Sequence, residues 1–267
     1  MPRLSMVIPA KNEAANMAIV LDDLRTAAAS LPETDIEMIV VDDHSTDRTA
    51  EIARAHGARV VANPGPGGKG RALRLGFSQA SGDLIGMMDA DYSHRAEELG
   101  RFLEVFAADP KVGLVVGSRV VGGSEEYTHI RALGNVFLSA AMGLATGRYL
   151  SDALNGYKLF RRDVFTGYRY TSRAFEIEIE LIANALRRGY RVVEVSSHER
   201  ARAGGEAKSR VIRHGTRFLV RIILEGIRGV KPTDGLIAPR SEPAALAASD
   251  APSLGASESN ISQRVAP

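Results

Sequence analysis

Cysteine is absent from all 267 residues, which excludes disulfides, thiolate catalysis, iron–sulfur clusters and cysteine–zinc sites. No uncharged apolar run reaches the roughly 18 residues needed to span a bilayer. The first ten residues run straight into a short apolar stretch, without the long apolar segment of a secretory signal. A cytoplasmic protein, dissolved or held peripherally on a membrane face, is therefore expected. Internal repeats are missing. Aromatic residues make up only 6% of the chain and are not interleaved with the basic ones as in a nucleic-acid stacking platform, so no nucleic-acid partner is expected.

What is present is ordinary globular composition, 45% hydrophobic and 25% charged, which rules out a disordered, collagenous or coiled-coil chain. Strands are expected at 4–9, 36–41, 59–62, 84–88 and 112–117. Helices are expected between them, at about 14–30, 47–56, 71–80 and 96–107. Strands alternating with helices of this length mean βαβ units and a parallel sheet. Further on, helices are expected at about 130–145, 175–188 and 209–229, with a strand at 191–195. The domain is expected to end near residue 232, and the Ser/Ala/Pro-rich remainder, 233–267, to be a linker and disordered tail.

Overall charge is +2, but twelve Lys/Arg stand against four Glu between Arg187 and Lys231. Such a segment suits an anionic partner, or is a solvated helix face. Its last helix mixes Arg217, Arg221 and Arg228 with Phe218, Leu219, Ile222, Ile223 and Ile227. That mixture fits a helix lying on a membrane, as the small-residue helix at 130–145 could, or one packed on its own domain.

Three strand ends carry polar groups. Asp89-Ala90-Asp91 follows an apolar strand, and in open parallel sheets ligands bind beyond the carboxyl ends of strands. Two carboxylates so placed reach one hard cation, Mg²⁺ or Mn²⁺, and leave positions open for phosphate oxygens. Asp42 and Asp43 end another strand and suit a base or ribose, while Ser45, Thr46 and Asp47 suit a helix cap. Pro9, Lys11, Asn12 and Glu13 end the first. The loop Asn63–Gly70 is no P-loop, and its Gly65, Gly67 and Gly70 satisfy a dinucleotide fingerprint only weakly. A flexible loop bringing Lys69 to a diphosphate is the expected reading.

Taken in order, Pro9-x-x-Asn12-Glu13, Val41-Asp42-Asp43-x-Ser45-x-Asp47-x-Thr49, Gly68-Lys69-Gly70 and Asp89-Ala90-Asp91 resemble the family-2 inverting glycosyltransferases of GT-A fold. Gly117-Ser118-Arg119, Asp152-x-x-Asn155-Gly156-Tyr157-Lys158-Leu159-Phe160 and Arg202-x-x-Gly205-Glu206-Ala207-Lys208 resemble their polyprenyl-phosphate sugar synthases, the dolichol-phosphate mannose type. The resemblance covers about residues 4–230 and implies a single Rossmann-like, mostly parallel sheet flanked by helices, with C-terminal amphipathic helices. Lys11 stands where the subfamily often has Tyr, and Ala207 where it usually has Ser.

The resemblance also implies a hexosyltransferase using a nucleotide-diphospho-sugar such as GDP-mannose or UDP-glucose, a divalent metal and a polyprenyl-phosphate acceptor. It places the donor on Pro9, Lys11, Glu13, Val41, Asp43, Lys69, Asp89, Ala90, Asp91, Arg202 and Lys208. The metal falls to Asp89, Asp91 and Ser93, and the acceptor phosphate to Arg119, Arg131 and Asn135. Asp89, Asp91 and Asp152 are the catalytic candidates. Asp152 would be the general base if the acceptor were a soluble hydroxyl, or would only orient its loop. Arg119 and Arg131 could instead pair with Glu125 or Glu126. A non-catalytic nucleotide- or nucleic-acid-binding module is the remaining alternative.

Overall fold

The computed structural model describes residues 3–126, 128–202 and 211–230, the side chains of 211–213 excepted. Lys208 and the expected linker and tail, 233–267, lie outside the described residues. In the first half, β1 (Arg3–Ala10), α1 (Ala14–Ala29), β2 (Asp35–Asp42), α2 (Thr49–Ala55), β3 (Arg59–Ala62), α3 (Lys69–Gln79) and β4 (Leu84–Met87) follow in strict alternation. A 3₁₀ turn (Ala96–Glu98), α4 (Leu99–Ala108), β5 (Val112–Ser118), the short α5 (Arg119–Gly122) and α6 (His129–Thr146) come next. The chain continues through β6 (Lys158–Arg161), the short α7 (Arg162–Phe165), α8 (Ile177–Arg187), β7 (Arg191–Ser196) and α9 (Val211–Arg228).

The seven strands form one sheet in the order β3-β2-β1-β4-β6-β5-β7. All neighbouring pairs are parallel except those of β6, which runs antiparallel between β4 and β5. The mostly parallel, helix-flanked sheet is the expected architecture; β6 is an addition to it. Because its start, Lys158, pairs with Met87 and Val116, the loop leading into β6 crosses the same edge at which β1, β2, β4 and β5 end.

Alternate residues of β1 supply the two faces of the core. Leu4, Met6 and Ile8 pack with Met17, Leu21, Leu24 and Phe102, while Val7 packs with Val41, Phe77 and Ile182 on the other side. Strands covered on both faces explain the unbroken apolar runs. Helix α3 approaches so closely that a Cβ on Gly76 would lie 2.9 Å from Val41 Cγ2 and nearer still to Val7 Cγ1. Gly76→Ala is therefore expected to cost about 1–3 kcal/mol by overpacking, read as a lower urea midpoint with unchanged slope.

Candidate active site

The turns beyond β1 and β2 lock each other. Asn12 Oδ1 accepts from Thr46 N at 2.7 Å, and Glu13 N donates to Thr49 Oγ1 at 2.8 Å. Asp47 accepts from Thr49 N at 3.0 Å and from Ala14 N at 3.1 Å, so one carboxylate caps both α2 and α1. Among the described residues, the only non-glycines at positive φ are Asn12, His44 and Tyr92, just past the ends of β1, β2 and β4. Such backbone is costly for non-glycine residues and clusters at working sites.

Asp43 holds the glycine loop. Its Oδ1 accepts from Asn63 Nδ2 and its Oδ2 from Gly68 N, each at 2.7 Å. A Cβ on Gly70 would lie 2.9 Å from Ala174 N, so the loop seats tightly on the segment before α8. Lys69 is consequently not on a flexible loop, as the sequence suggested. It opens α3 with its side chain 12% exposed, its ammonium 2.8 Å from Asp89 Oδ1, 3.2 Å from Glu178 Oε1 and over the Phe175 ring. Burial disfavours the charged ammonium, but Asp89 and Glu178 outweigh it and hold the Lys69 pKa above its usual value.

The acid pair stands at the junction of two cavities. One, of about 290 Å³, is lined by Pro9, Lys11, Glu13 and Asp43; the other, of about 210 Å³, by Arg119, Arg131, Asn135 and Glu178. Lys69, Asp89, Asp91, Phe175 and Arg202 line both. Ala90 lines the first cavity and Ser93 the second. Partial burial raises the Asp89 pKa, but Lys69 and then His94 reverse this and hold the carboxyl well below the ordinary carboxylate range. Asp91 Oδ2 pairs with Arg202 at 2.8 Å, and its Oδ1 accepts from Ser93 Oγ at 2.6 Å. Ser93 thus orients Asp91.

Two of the expected site residues line neither cavity. Val41 is fully buried in the core, because an apolar side chain at this register points into the layer beneath α3, and it presents none of its side chain to the first cavity. Asp152 is also fully buried. Its Oδ2 accepts from Arg119 N and Nε at 3.0 and 2.7 Å, its Oδ1 from Arg119 Nη2 at 2.9 Å, and it does not line the second cavity. A carboxylate so occupied orients an arginine and is not placed to take a substrate proton. Glu194, itself pushed up by burial, accepts from Ser151 N and Asp152 N and fixes this loop from below.

Arg119 also reaches Glu199 at 3.1 Å. Arg131 Nη1 lies 3.7 Å from Glu126, and Asn135 Nδ2 donates to Ser151 O at 3.2 Å. Sequence reasoning passed over Glu178 and His94, and weighed Glu126 only as a partner of Arg119 or Arg131, whereas it also lies 3.5 Å from Arg202 Nε. Glu178 is 1% exposed on the first turn of α8, with Lys158, itself completely buried, 3.6 Å from its Oε2. The helix face containing it reads as an ordinary charged face, so only the tertiary contacts reveal it. His94 is 3% exposed, and its Nε2, 3.8 Å from Asp89 Oδ2, has no hydrogen-bond partner.

Residues 5–168 match the model described as Glycosyl transferase family 2. The low-salt glycan biosynthesis hexosyltransferase of Haloferax volcanii is 34% identical over 188 residues, 69% of this chain but only 44% of that relative's length. The dolichol-phosphate mannosyltransferase of Pyrococcus furiosus is 26% identical over 258 residues, 88% of this chain and 71% of its own. Among solved structures, glucosyl-3-phosphoglycerate synthase from Mycobacterium tuberculosis superposes with a TM-score of 0.68 at 24% identity, over 84% of this chain and 80% of that one. The same enzyme has been solved with Mn²⁺, UDP-glucose and phosphoglyceric acid, at a TM-score of 0.66 and 23% identity, over 84% of this chain and 80% of that one. At this identity the likeness is one of fold.

Proposed function

The chain belongs to glycosyl transferase family 2, and from that premise we propose that it moves a hexose from a nucleotide-diphospho-sugar to a polyprenyl phosphate, with inversion. The observation that supports a lipid acceptor is the outer surface of the second cavity. Helix α6 gives Arg131 and Asn135 to its lining, and α9 gives Phe218. The opposite faces of these helices are bare and apolar: Ile130, Leu133, Phe137 and Leu144 on α6, spaced for one stripe, and Val220, Ile223 and Ile227 on α9. Leu144 is 90% exposed. A phosphate held inside and an apolar chain lying outside suit this arrangement, with peripheral contact to a membrane surface. No helix among the described residues is long and apolar enough to cross a membrane. Relatives named dolichol-phosphate mannosyltransferase and dolichyl-phosphate hexose transferase support the same reading.

The nucleotide occupies the cavity beside Pro9, Lys11, Glu13 and Asp43, which puts its diphosphate at Asp89 and Asp91 and the hexose at the junction. The C1–oxygen bond to the diphosphate breaks, and its electron pair leaves on that oxygen. Lys69 and Arg202 lie where this negative charge grows. An acceptor-phosphate oxygen forms the new bond to C1 from the opposite face. Arg119 and Arg131 hold the other phosphate oxygens, for which a planar guanidinium is suited. A phosphomonoester is largely ionised near neutral pH, its second pKa being about 6, so this nucleophile needs no general base. That agrees with the engagement of Asp152 by Arg119.

Mg²⁺ or Mn²⁺ fits the acid pair by the chemistry of its donors, two carboxylates beside an orphaned, buried His94 nitrogen. Among the described residues no group of three or more His, Cys, Asp or Glu could hold a metal ion, so an ion at the acid pair would have to complete its shell with phosphate oxygens and water. When bound at Asp89 and Asp91, the ion supplies neutralisation of the departing diphosphate.

The test pairs GDP- and UDP-hexoses with polyprenyl phosphate in vesicles or with water-soluble hydroxyl and phosphate acceptors. Mass spectrometry is expected to find the hexose on the lipid phosphate. Transfer confined to soluble hydroxyls would overturn the acceptor reading.

A further inference from the structure

Each carboxylate of the acid pair already has a cation of the chain's own, and each of those cations has a second carboxylate beside it. Lys69 Nζ sits 2.8 Å from Asp89 and 3.2 Å from Glu178. Arg202 Nη2 sits 2.8 Å from Asp91, while its Nε lies 3.5 Å from Glu126 Oε2 and its backbone N donates to Glu126 Oε1 at 3.0 Å. Arg202 Nε, buried, makes no hydrogen bond in this arrangement, and neither does Glu178 Oε2. The two sets come from different elements, α3 with α8 on one side and the segment after β7 with that before α6 on the other. Both place the second carboxylate on the wall of the acceptor cavity.

We propose that Lys69 and Arg202 are internal counter-cations of the metal site, and that Glu178 and Glu126 are positioning residues that receive them when a divalent ion takes Asp89 and Asp91. The inference rests on the donor reading above. Its physical basis is charge balance. A divalent ion alone would add two positive charges where the carboxylates are already neutralised, at half-buried depth where repulsion is poorly screened. The diphosphate of a nucleotide sugar carries as many negative charges as the ion carries positive, so the two together leave the balance unchanged. Lys69 and Arg202 do not become stranded buried charges on release, because each already touches, or lies within reach of, its second carboxylate. Arg202 Nε has unfilled hydrogen-bonding capacity that the released arrangement can use, and Glu178 already holds Lys69 through Oε1 at 3.2 Å while its Oε2 faces Lys158 Nζ at 3.6 Å. Ion and nucleotide should accordingly bind as one coupled ligand.

The measurement is Mn²⁺ binding to the full chain, read by the electron paramagnetic resonance of the free ion, with and without a nucleoside diphosphate. Wild-type protein is expected to bind Mn²⁺ alone at least about tenfold more weakly than with the nucleotide. Lys69→Met, which frees Asp89, is expected to bind Mn²⁺ alone about tenfold more tightly and to lose most of that coupling. Glu178→Gln, which removes the second seat of Lys69, is expected to weaken Mn²⁺ binding in the presence of nucleotide, with Glu178→Asp restoring part of it. Equal Mn²⁺ affinity with and without nucleotide in the wild type would overturn the proposal without recourse to any variant. Unchanged Mn²⁺ affinity in folded Lys69→Met would overturn it too. Failure of the wild type to bind any nucleoside diphosphate, with or without metal, would instead remove the donor reading on which the proposal stands.

Discussion

Asp89→Asn is expected to lower kcat by about a hundred- to a thousandfold or more while the chain stays folded, and Asp91→Asn to do the same. Each exchange keeps the side-chain volume and removes one anionic oxygen from the junction of the two cavities. Folding survives because neither cation is left alone. After Asp89→Asn the buried Lys69 ammonium keeps Glu178, and after Asp91→Asn the Arg202 guanidinium keeps Glu126. The acid limb of stability provides a second readout. Lys69 and His94 hold the folded Asp89 pKa below its ordinary value of 3.8, against the opposing effect of burial. A carboxylate depressed in this way contributes stability that is present above the unfolded pKa and lost as pH falls through the folded one. The Asn variant lacks that contribution, so its melting temperature should fall less steeply below pH 4 than that of the wild type. Full transfer by both variants, or by wild type in excess chelator, would remove the acid pair from the chemistry.

The sheet was legible in the sequence because its strands are buried on both faces and appear as short apolar runs between helices of regular period. Strand β6 was not. Its four residues, Lys-Leu-Phe-Arg, carry a charge at each end, and Lys158 is wholly buried only because Glu178 lies 3.6 Å away and the Asn155 carbonyl accepts from its ammonium. Burial lowers the Lys158 pKa despite that carboxylate. A local pattern cannot announce a lysine whose partner is twenty residues along the chain. Helix α2 starts two residues later than the sequence suggested, since Asp47 serves as a shared cap outside the helix.

The basic stretch after Arg187 was only partly legible. Its composition left open an anionic partner, a solvated face, a helix lying on a membrane and a helix packed on its own domain. In the fold, Arg187, Arg221 and Arg228 converge on Glu225, which is fully buried, and Arg221 also reaches the buried Glu180 at 3.1 Å. Several of the arginines of this stretch thus face the body of the protein, and the outward stripe of α9 is apolar. That the strand-end motifs meet at one edge of the sheet was legible because each ends an element whose direction the apolar pattern fixes. Which carboxylates stand behind them, Glu178 and Glu126 above all, depends on α8 and the segment before α6 folding over the edge. No spacing in the sequence encodes that.

Arg119 and Arg131 face the same cavity, yet their removal is expected to have different consequences. Arg119→Ala strips the completely buried Asp152 of both side-chain donors and leaves Glu199 without its guanidinium. Breaking one partner from a buried pair costs about 3–5 kcal/mol, so this variant should melt well below the wild type and lose transfer through both folding and binding. Arg131 is 31% exposed and meets Glu126 only at 3.7 Å. Arg131→Ala should therefore keep nearly the wild-type melting temperature. If Arg131 grips the acceptor phosphate, it loses a charge-assisted hydrogen bond worth about 1.5–3 kcal/mol. At about 1.4 kcal/mol per tenfold, acceptor KM should rise roughly ten- to a hundredfold. Donor KM should hardly move, because the diphosphate lies on the far side of Asp89 and Asp91. Arg131→Lys should recover part of the loss, since a point charge remains but the fork is gone. Donor and acceptor KM measured on the same preparations decide the matter. A rise in both would move Arg131 to the donor side. An unchanged acceptor KM would reduce it to a surface partner of Glu126 and take the phosphate acceptor with it.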